Sequence, residues 1–269
     1  MNAAAPLRIL ILGAHPDDAE FAAGGAAAWY RAHGHAVRMV SATNGAAGHQ
    51  SLSAAELAEI RRAEAAASAA VIGAESSVWD FPDGELEAGL PLRRRVIREI
   101  RAWKPDLVLT HRTCDYHPDH RALGQAVNDA SFMVRVPAVA PDSPALRTDP
   151  VVAYMNDHFT NPTPLRPDVL LNATPHRDTV LRMLAAHRSQ FFDWLPYVSG
   201  IDPPPETDEA GLHAWLSEWY GEQTRWRAEL FAAHFQGAVP ELLEAFEISP
   251  YAGSCDEAQR RRLFPWIAE

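Results

Sequence analysis

Two short stretches carry residue types that could share one reaction centre: Gly13-Ala14-His15-Pro16-Asp17-Asp18-Ala19-Glu20 near the start, and His117-Pro118-Asp119-His120 much later. Each joins imidazole to carboxylate around a proline. Brought together, they hold enough nitrogen and oxygen donors to bind a zinc-like cation and still leave a carboxylate and an imidazole for proton transfer. His15 and Asp18 lie three positions apart at a helix start, so both can point at one ion while Pro16 stiffens the turn. His120 is the expected third ligand. Two imidazoles and one carboxylate leave a fourth position for water, the arrangement of a catalytic rather than a structural zinc. Asp17 cannot easily share the direction of its neighbour Asp18, so it is free to take a proton from that water as general base. His117, held cationic by a carboxylate such as Asp119 or Asp115, would stabilise an oxyanion or protonate a leaving amine. Taken singly, His15 reads as a loop histidine and Asp18 as a helix cap. Two such motifs at equivalent strand ends would then require two unrelated coincidences.

The elements that must position these residues follow from the apolar pattern. Residues 7–12 form a nearly continuous aliphatic run closed by Gly13, as in a parallel strand buried on both faces. An alanine-rich helix over 17–32 and a strand over 37–42 complete a βαβ unit. Gly24 and Gly25 inside that helix point to a close packing contact with the sheet. Ser53 and Glu56 form a capping-box pattern that starts a second helix, which Gly73 ends. Strands at 77–81, 107–110, 151–155 and 168–171 then alternate with helices over 91–103, from Pro118 onward, and over 179–190. The alternation predicts an α/β fold, a mostly parallel sheet with helices on both faces. Both motifs then lie at the carboxyl edge, where ligand crevices form in open parallel sheets. Residues 1–193 are expected to form this domain. Residues 194–269 are expected to form a mainly helical extension packed on it, with Trp215, Trp219 and Trp226 near helical spacing. Those tryptophans, if exposed, would favour a homo-oligomer or a large substrate.

Composition narrows the partners. A formal net charge of −11 over 269 residues argues against nucleic acid and anionic membranes, and favours a small neutral or cationic substrate. Two cysteines, Cys114 and Cys255, make no disulfide framework, so a cytoplasmic location is expected. The first apolar run is too short for a signal segment, and no later run approaches the roughly 20 residues of a membrane-spanning helix.

With AHPDDAE after the first strand and HPDH after a later one, the sequence resembles the PIG-L / LmbE-like family of zinc-dependent N-deacetylases. Supporting pieces are Thr43-Asn44-Gly45, the RRAEAAASAAVIGA helix, FPDGEL, PDLVLTH and AAHRSQ, spanning about residues 7–190. The resemblance implies a Rossmann-like, doubly wound fold and one zinc ion held by His15, Asp18 and His120. It implies Asp17 as base, with His117 and Asp119 assisting at the oxyanion and leaving group. The implied reaction is removal of an N-acyl group, usually N-acetyl, from a glucosamine-containing conjugate. The family's R-x-x-E arginine falls on Arg61, which would bind acyl or sugar oxygens, and Asp83 in FPDG would accept a sugar hydroxyl. The lysine often found upstream of the family's HxSQ segment is missing, and only Arg182 stands there. His187 is expected to tie the last helix to the sheet. Two other readings compete: a deacylase or esterase on a non-sugar substrate, and a non-catalytic ligand-binding module on the same fold. Against a nucleotide-binding module, the first turn reads GAHPDDAE, without the GxGxxG that cradles a dinucleotide.

Overall fold

The computed structural model describes residues 5–205, 207–235 and 238–268. The strands are β1 (Arg8–Gly13), β2 (Ala36–Thr43), β3 (Glu75–Phe81), β4 (Leu107–Thr110), β5 (Val151–Met155), β6 (Val169–Asn172) and β7 (Leu243–Ile248). They form one seven-stranded sheet in the order β3-β2-β1-β4-β5-β7-β6. The helices are α1 (Asp18–Ala32), α2 (Ala54–Ile72), α3 (Leu90–Trp103), α4 (Pro118–Ser131), α5 (Arg177–Ala186), α6 (Leu195–Ser199), α7 (Glu209–Phe231) and α8 (Glu257–Leu263). No helix among the described residues is long and apolar enough to cross a membrane.

Along β1, Ile9 and Ile11 face a layer built by α1, α5 and α7, while Leu10 and Leu12 face α3 and α4. All four are fully buried, which explains why this strand reads as an unbroken aliphatic run. The chain winds outward from β1 through β2 to β3, then returns to place β4 on β1's other side, Leu12 beside Thr110. The sheet therefore has its topological switch between β1 and β4, and the loops that leave these two strands flank one crevice. The capping box on α2 forms as expected: the Ser53 hydroxyl accepts the Glu56 N–H, and Gly73 closes the helix at φ 67°.

The chain beyond residue 193 does more than add helices. α7 buries Leu212, Leu216 and Tyr220 in the layer that covers α1 and α5. β7 inserts antiparallel between β5 and β6. A boundary at 193/194 would therefore strip β6 of its sheet neighbour, and the expected division into 1–193 and 194–269 is corrected to a single sheet that both segments build. The tryptophans follow the core: Trp215 and Trp219 pack against the α1 layer, and Trp226 against a smaller cluster around Phe231.

β7 also explains one of the two glycines of α1, Gly25. The helix is broken at Ala23 (φ −141°), and the buried Glu244 carboxylate of β7 accepts the N–H groups of Gly25 (2.7 Å) and Ala26 (2.8 Å). These are the donors that a helix start leaves free, so a strand side chain caps the second half of α1. A Cβ at Gly25 would press on Ala173 and lie 2.9 Å from Glu244 Oε1. Gly24 meets Val180 and Met183 of α5 instead. Gly25→Ala is expected to lower stability by about 1–3 kcal/mol through overpacking, read as a fall in the thermal midpoint. An unchanged midpoint would mean that α1 can move off Glu244 without loss.

Candidate active site

The loop after β1 is fixed from both neighbouring strands. Thr43 of β2 donates its N–H (2.8 Å) and hydroxyl (2.9 Å) to the Ala14 carbonyl. On the other side, the Ala14 N–H donates to His111 Nε2 at 3.1 Å, just past the end of β4. Gly13 is required here because a Cβ would lie 2.7 Å from Asp18 Cβ. Asp17 takes φ 124°, a conformation that costs an ordinary residue about 1–3 kcal/mol and is kept where the surroundings impose it.

This loop and the start of α4 bring three donors together. His15 Nδ1 stands 3.2 Å from His120 Nε2 and 3.4 Å from Asp18 Oδ2, and His120 Nε2 stands 3.3 Å from Asp18 Oδ1. Ligand atoms about 2.0–2.1 Å from a tetrahedral zinc lie about 3.3 Å apart, so this donor set fits such an ion. Each imidazole is braced on its far nitrogen. His15 Nε2 lies 3.2 Å from Asp119 Oδ2 and 3.3 Å from Asp83 Oδ1, and His120 Nδ1 lies 3.1 Å from Asp115 Oδ1. Carboxylates behind ligating histidines fix the ring and raise its basicity. Burial alone would lower the His120 pKa, but Asp18 and Asp115 outweigh it and raise it to about 9. Burial would raise Asp18, yet the His120 and His111 charges hold it well below the usual carboxylate range. The cluster thus favours a carboxylate surrounded by positive charge.

Asp17 differs from its neighbour. Burial, and then the charge of Asp18, push it up to about 7. It lines a cavity of about 320 Å³ with His15, Arg61, Asp83, His117 and Gln190. Arg61 is buried at 2% exposure rather than spread on a solvated helix face. Its Nη2 donates to the Gly48 carbonyl (3.2 Å) and to Gln190 Oε1. Asp83 accepts the Ala47 N–H at 3.0 Å in addition to bracing His15.

Two expectations are corrected. His117 is held by neither carboxylate: its Nδ1 accepts the Asp119 N–H (3.2 Å), and burial together with the charges of His15 and His120 lowers its pKa. The reason is direction. The Asp119 carboxylate turns away to accept the Gly84 (2.8 Å) and Leu86 (3.1 Å) N–H groups beside His15, and Asp115 faces His120. With Nδ1 accepting that N–H, the ring hydrogen of a neutral His117 would sit on Nε2. His187 ties its segment to helix α1 rather than to the sheet: its Nε2 lies 3.0 Å from Glu20 Oε1, which also accepts the Ser68 hydroxyl at 2.6 Å. This draws the chain out of α5 at Ala186, short of the expected end at 190, and a π-helical turn follows over Ser189–Trp194.

His111 escaped the reading of the motifs. Its Nε2 is 3.2 Å from Asp18 Oδ2 and its ring stacks on His120 at 3.9 Å. A lone histidine directly after a buried strand, at the sheet edge that carries His15, was the available signal. Tyr116 and Gln190, which also line the crevice, gave none beyond lying beside HPDH and within HRSQ.

Fold and donor set together define a class: α/β proteins with a His/Asp cluster that could hold a cation at the switch point of a mostly parallel sheet. Within that class, residues 10–131 match the PIG-L family model, described as GlcNAc-PI de-N-acetylase. The chain is 27% identical over 196 residues to 4-oxalmesaconate hydratase of Pseudomonas putida, covering 70% of this chain and 76% of that protein. It is 26% identical over 206 residues to diacetylchitobiose deacetylase of Thermococcus kodakarensis, covering 72% and 76%. Among solved structures it is similar to N,N'-diacetylchitobiose deacetylase from Pyrococcus horikoshii complexed with its inhibitor MPG. That likeness has a TM-score of 0.71 and 23% identity, over 91% of this chain and 84% of that one, and shows the fold.

The Glu20–His187 pair supplies a pH test. Burial raises Glu20 and lowers His187, but their mutual attraction reverses both, so Glu20 ends below its ordinary 4.5 and His187 above its ordinary 6.5. The Glu20 contribution is present above pH 4.5 and lost as pH falls through its lowered pKa. The His187 contribution is complete below pH 6.5 and lost as pH rises through its raised pKa. His187→Ala should cost about 3 kcal/mol near pH 6, as for one partner lost from a buried pair. The gap to the parent should narrow in thermal melts as pH rises past the raised His187 pKa. A pH-independent gap would reject the ion pair.

Proposed function

We propose that this protein is a metal-dependent hydrolase that removes an N-acyl group, N-acetyl in the first instance, from a small molecule containing an amino sugar. The observation that carries this reading is the approach of His15 Nδ1, Asp18 and His120 Nε2 to within 3.4 Å of one another, with Asp17 alongside. The family match and the deacetylase relative support it. His15, Asp18 and His120 would hold one zinc ion, which when bound supplies a water of lowered pKa and a Lewis acid for the amide carbonyl.

The remaining work falls to the chain. Asp17, ionised in part at neutral pH with its pKa about 7, takes a proton from the attacking water and is basic enough to keep it until the amine leaves. His117 donates its Nε2 hydrogen to the carbonyl oxygen as charge develops there. Transfer of the Asp17 proton to the departing nitrogen breaks the C–N bond, and the proton left on the acid product passes to the amine, giving a carboxylate and an ammonium group. Asp119, with Asp83, keeps Nδ1 of His15 turned to the cluster from behind. Arg61 and Asp83, on the polar wall of the cavity, bind acyl or sugar oxygens.

The hydratase relative favours a second reading, addition of water across a carbon–carbon double bond by the same base and water. A panel of N-acetylglucosamine conjugates, N-acyl amino acids, an ester and an unsaturated dicarboxylate separates the readings by whether amine appears or alkene absorbance is lost.

Two variants test the assigned roles. Asp17→Asn should retain metal and lose about 10²- to 10⁴-fold in kcat, the usual worth of a positioned base; full activity would remove Asp17 from the mechanism. His120→Ala should lose bound zinc on dialysis, measured as metal per chain, and an unchanged content would place the third ligand elsewhere.

A further inference from the structure

The crevice has a second lobe that the chemistry above does not use. It is a cavity of about 370 Å³ that shares Asp17, Asp18, Tyr116, His120, Gln190 and Leu195 with the first. The two differ in character. The first is walled by Arg61, Asp83 and the glycines of the 45–48 loop, whereas the second is walled by Phe21, Phe159, Phe191, Trp219 and Trp226. These rings already hold one another edge to face, Trp219 standing 5.7 Å from Phe191 and 6.4 Å from Phe21. Phe159 lies 6.1 Å from the Tyr116 ring, which reaches His117 at 5.6 Å and so links the lobe to the cluster.

Two polar side chains in this wall have unmet donors. Arg227 is 1% exposed, and its Nη2 donates to the Phe21 carbonyl at 2.8 Å while Nε and Nη1 have no partner. Asn156 is 8% exposed, and its Oδ1 accepts the Ala245 N–H at 3.2 Å while Nδ2 has no partner. These donor atoms are themselves shut off from the lobe, and the Arg227 guanidinium lies over the Phe21 ring at 5.3 Å, so the wall is presented by its rings. A free N-acetylated monosaccharide would occupy the polar lobe and leave the aromatic walls facing water.

We infer that the substrate carries an aromatic group, which enters this second lobe and stacks among Phe159, Trp219 and Trp226. This inference rests on the deacylase reading for the reaction but not for the binding. The aromatic group can belong to the acyl side or to the aglycone side of the substrate.

The test compares kcat/KM for amine release from three compounds on the zinc-loaded protein: methyl N-acetyl-β-D-glucosaminide, p-nitrophenyl N-acetyl-β-D-glucosaminide and methyl N-(4-nitrobenzoyl)-β-D-glucosaminide. At least one aryl compound should exceed the methyl acetamide by about two- to tenfold, the usual worth of one aromatic pair. The better of the two identifies the side. The ratio of aryl to methyl should fall by up to the same factor in Phe159→Ala, a loop position, and in Trp226→Leu, which keeps an apolar side chain, and be restored in Phe159→Tyr. Equal values for all three compounds overturn the inference. Quenching of tryptophan fluorescence by p-nitrophenyl β-D-glucosaminide, the product amine, reads the lobe without turnover. Saturable quenching weakened by Phe159→Ala, with no hydrolysis of any compound, supports the lobe while sinking the deacylase reading. Hydrolysis with neither aryl preference nor quenching sinks the lobe alone.

Discussion

Two imidazole nitrogens and a carboxylate held within 3.4 Å of one another favour positive charge among them, and the surrounding carboxylates hold them in that arrangement. Asp119 and Asp83 stand behind His15, and Asp115 stands behind His120, so neither ring can turn its inner nitrogen away without losing a carboxylate. Asp119 is fixed in turn by the N–H groups of Gly84 and Leu86, which draws the loop after β3 onto the cluster. The sheet makes the meeting unavoidable: β1 and β4 are neighbours, so the loops leaving them have nowhere to go but the same crevice.

The carboxyl-terminal segment completes this frame from the far side. β7 carries Glu244 into the break in α1, and α1 begins at Asp18, so one buried carboxylate caps the helix whose first residue faces the cluster. α7 lies over the same helix, its Arg227 bonded to the Phe21 carbonyl, and brings Trp219 and Trp226 to the rim of the crevice. The segment that looked like an appendage is part of both the sheet and the wall of the crevice.

What could be read from the sequence was what depends on local order. The aliphatic runs, the Ser53–Glu56 box, Pro118 at the first turn of α4 and the two His/Asp motifs each carry their physical reason within a few residues. β7 did not, because LEAFEI places a glutamate at a fully buried position, and that residue becomes tolerable only through N–H groups some 220 positions earlier in the chain. Arg61 illustrates the same limit: its helix offers an ordinary solvated, mixed-charge face until the loop at Gly48 and the turn at Gln190 close around it. The partner of His117 was misread because side-chain direction at a helix start depends on what lies opposite, here the backbone after β3.

The most direct test of this arrangement is the position of the ion itself, located by anomalous diffraction at the zinc edge from crystals of the zinc-loaded protein. A single peak about 2.0–2.2 Å from His15 Nδ1, the Asp18 carboxylate and His120 Nε2 is the expected result. A peak among His15 Nε2, Asp83 and Asp119 instead, or none in the crevice, would contradict the account.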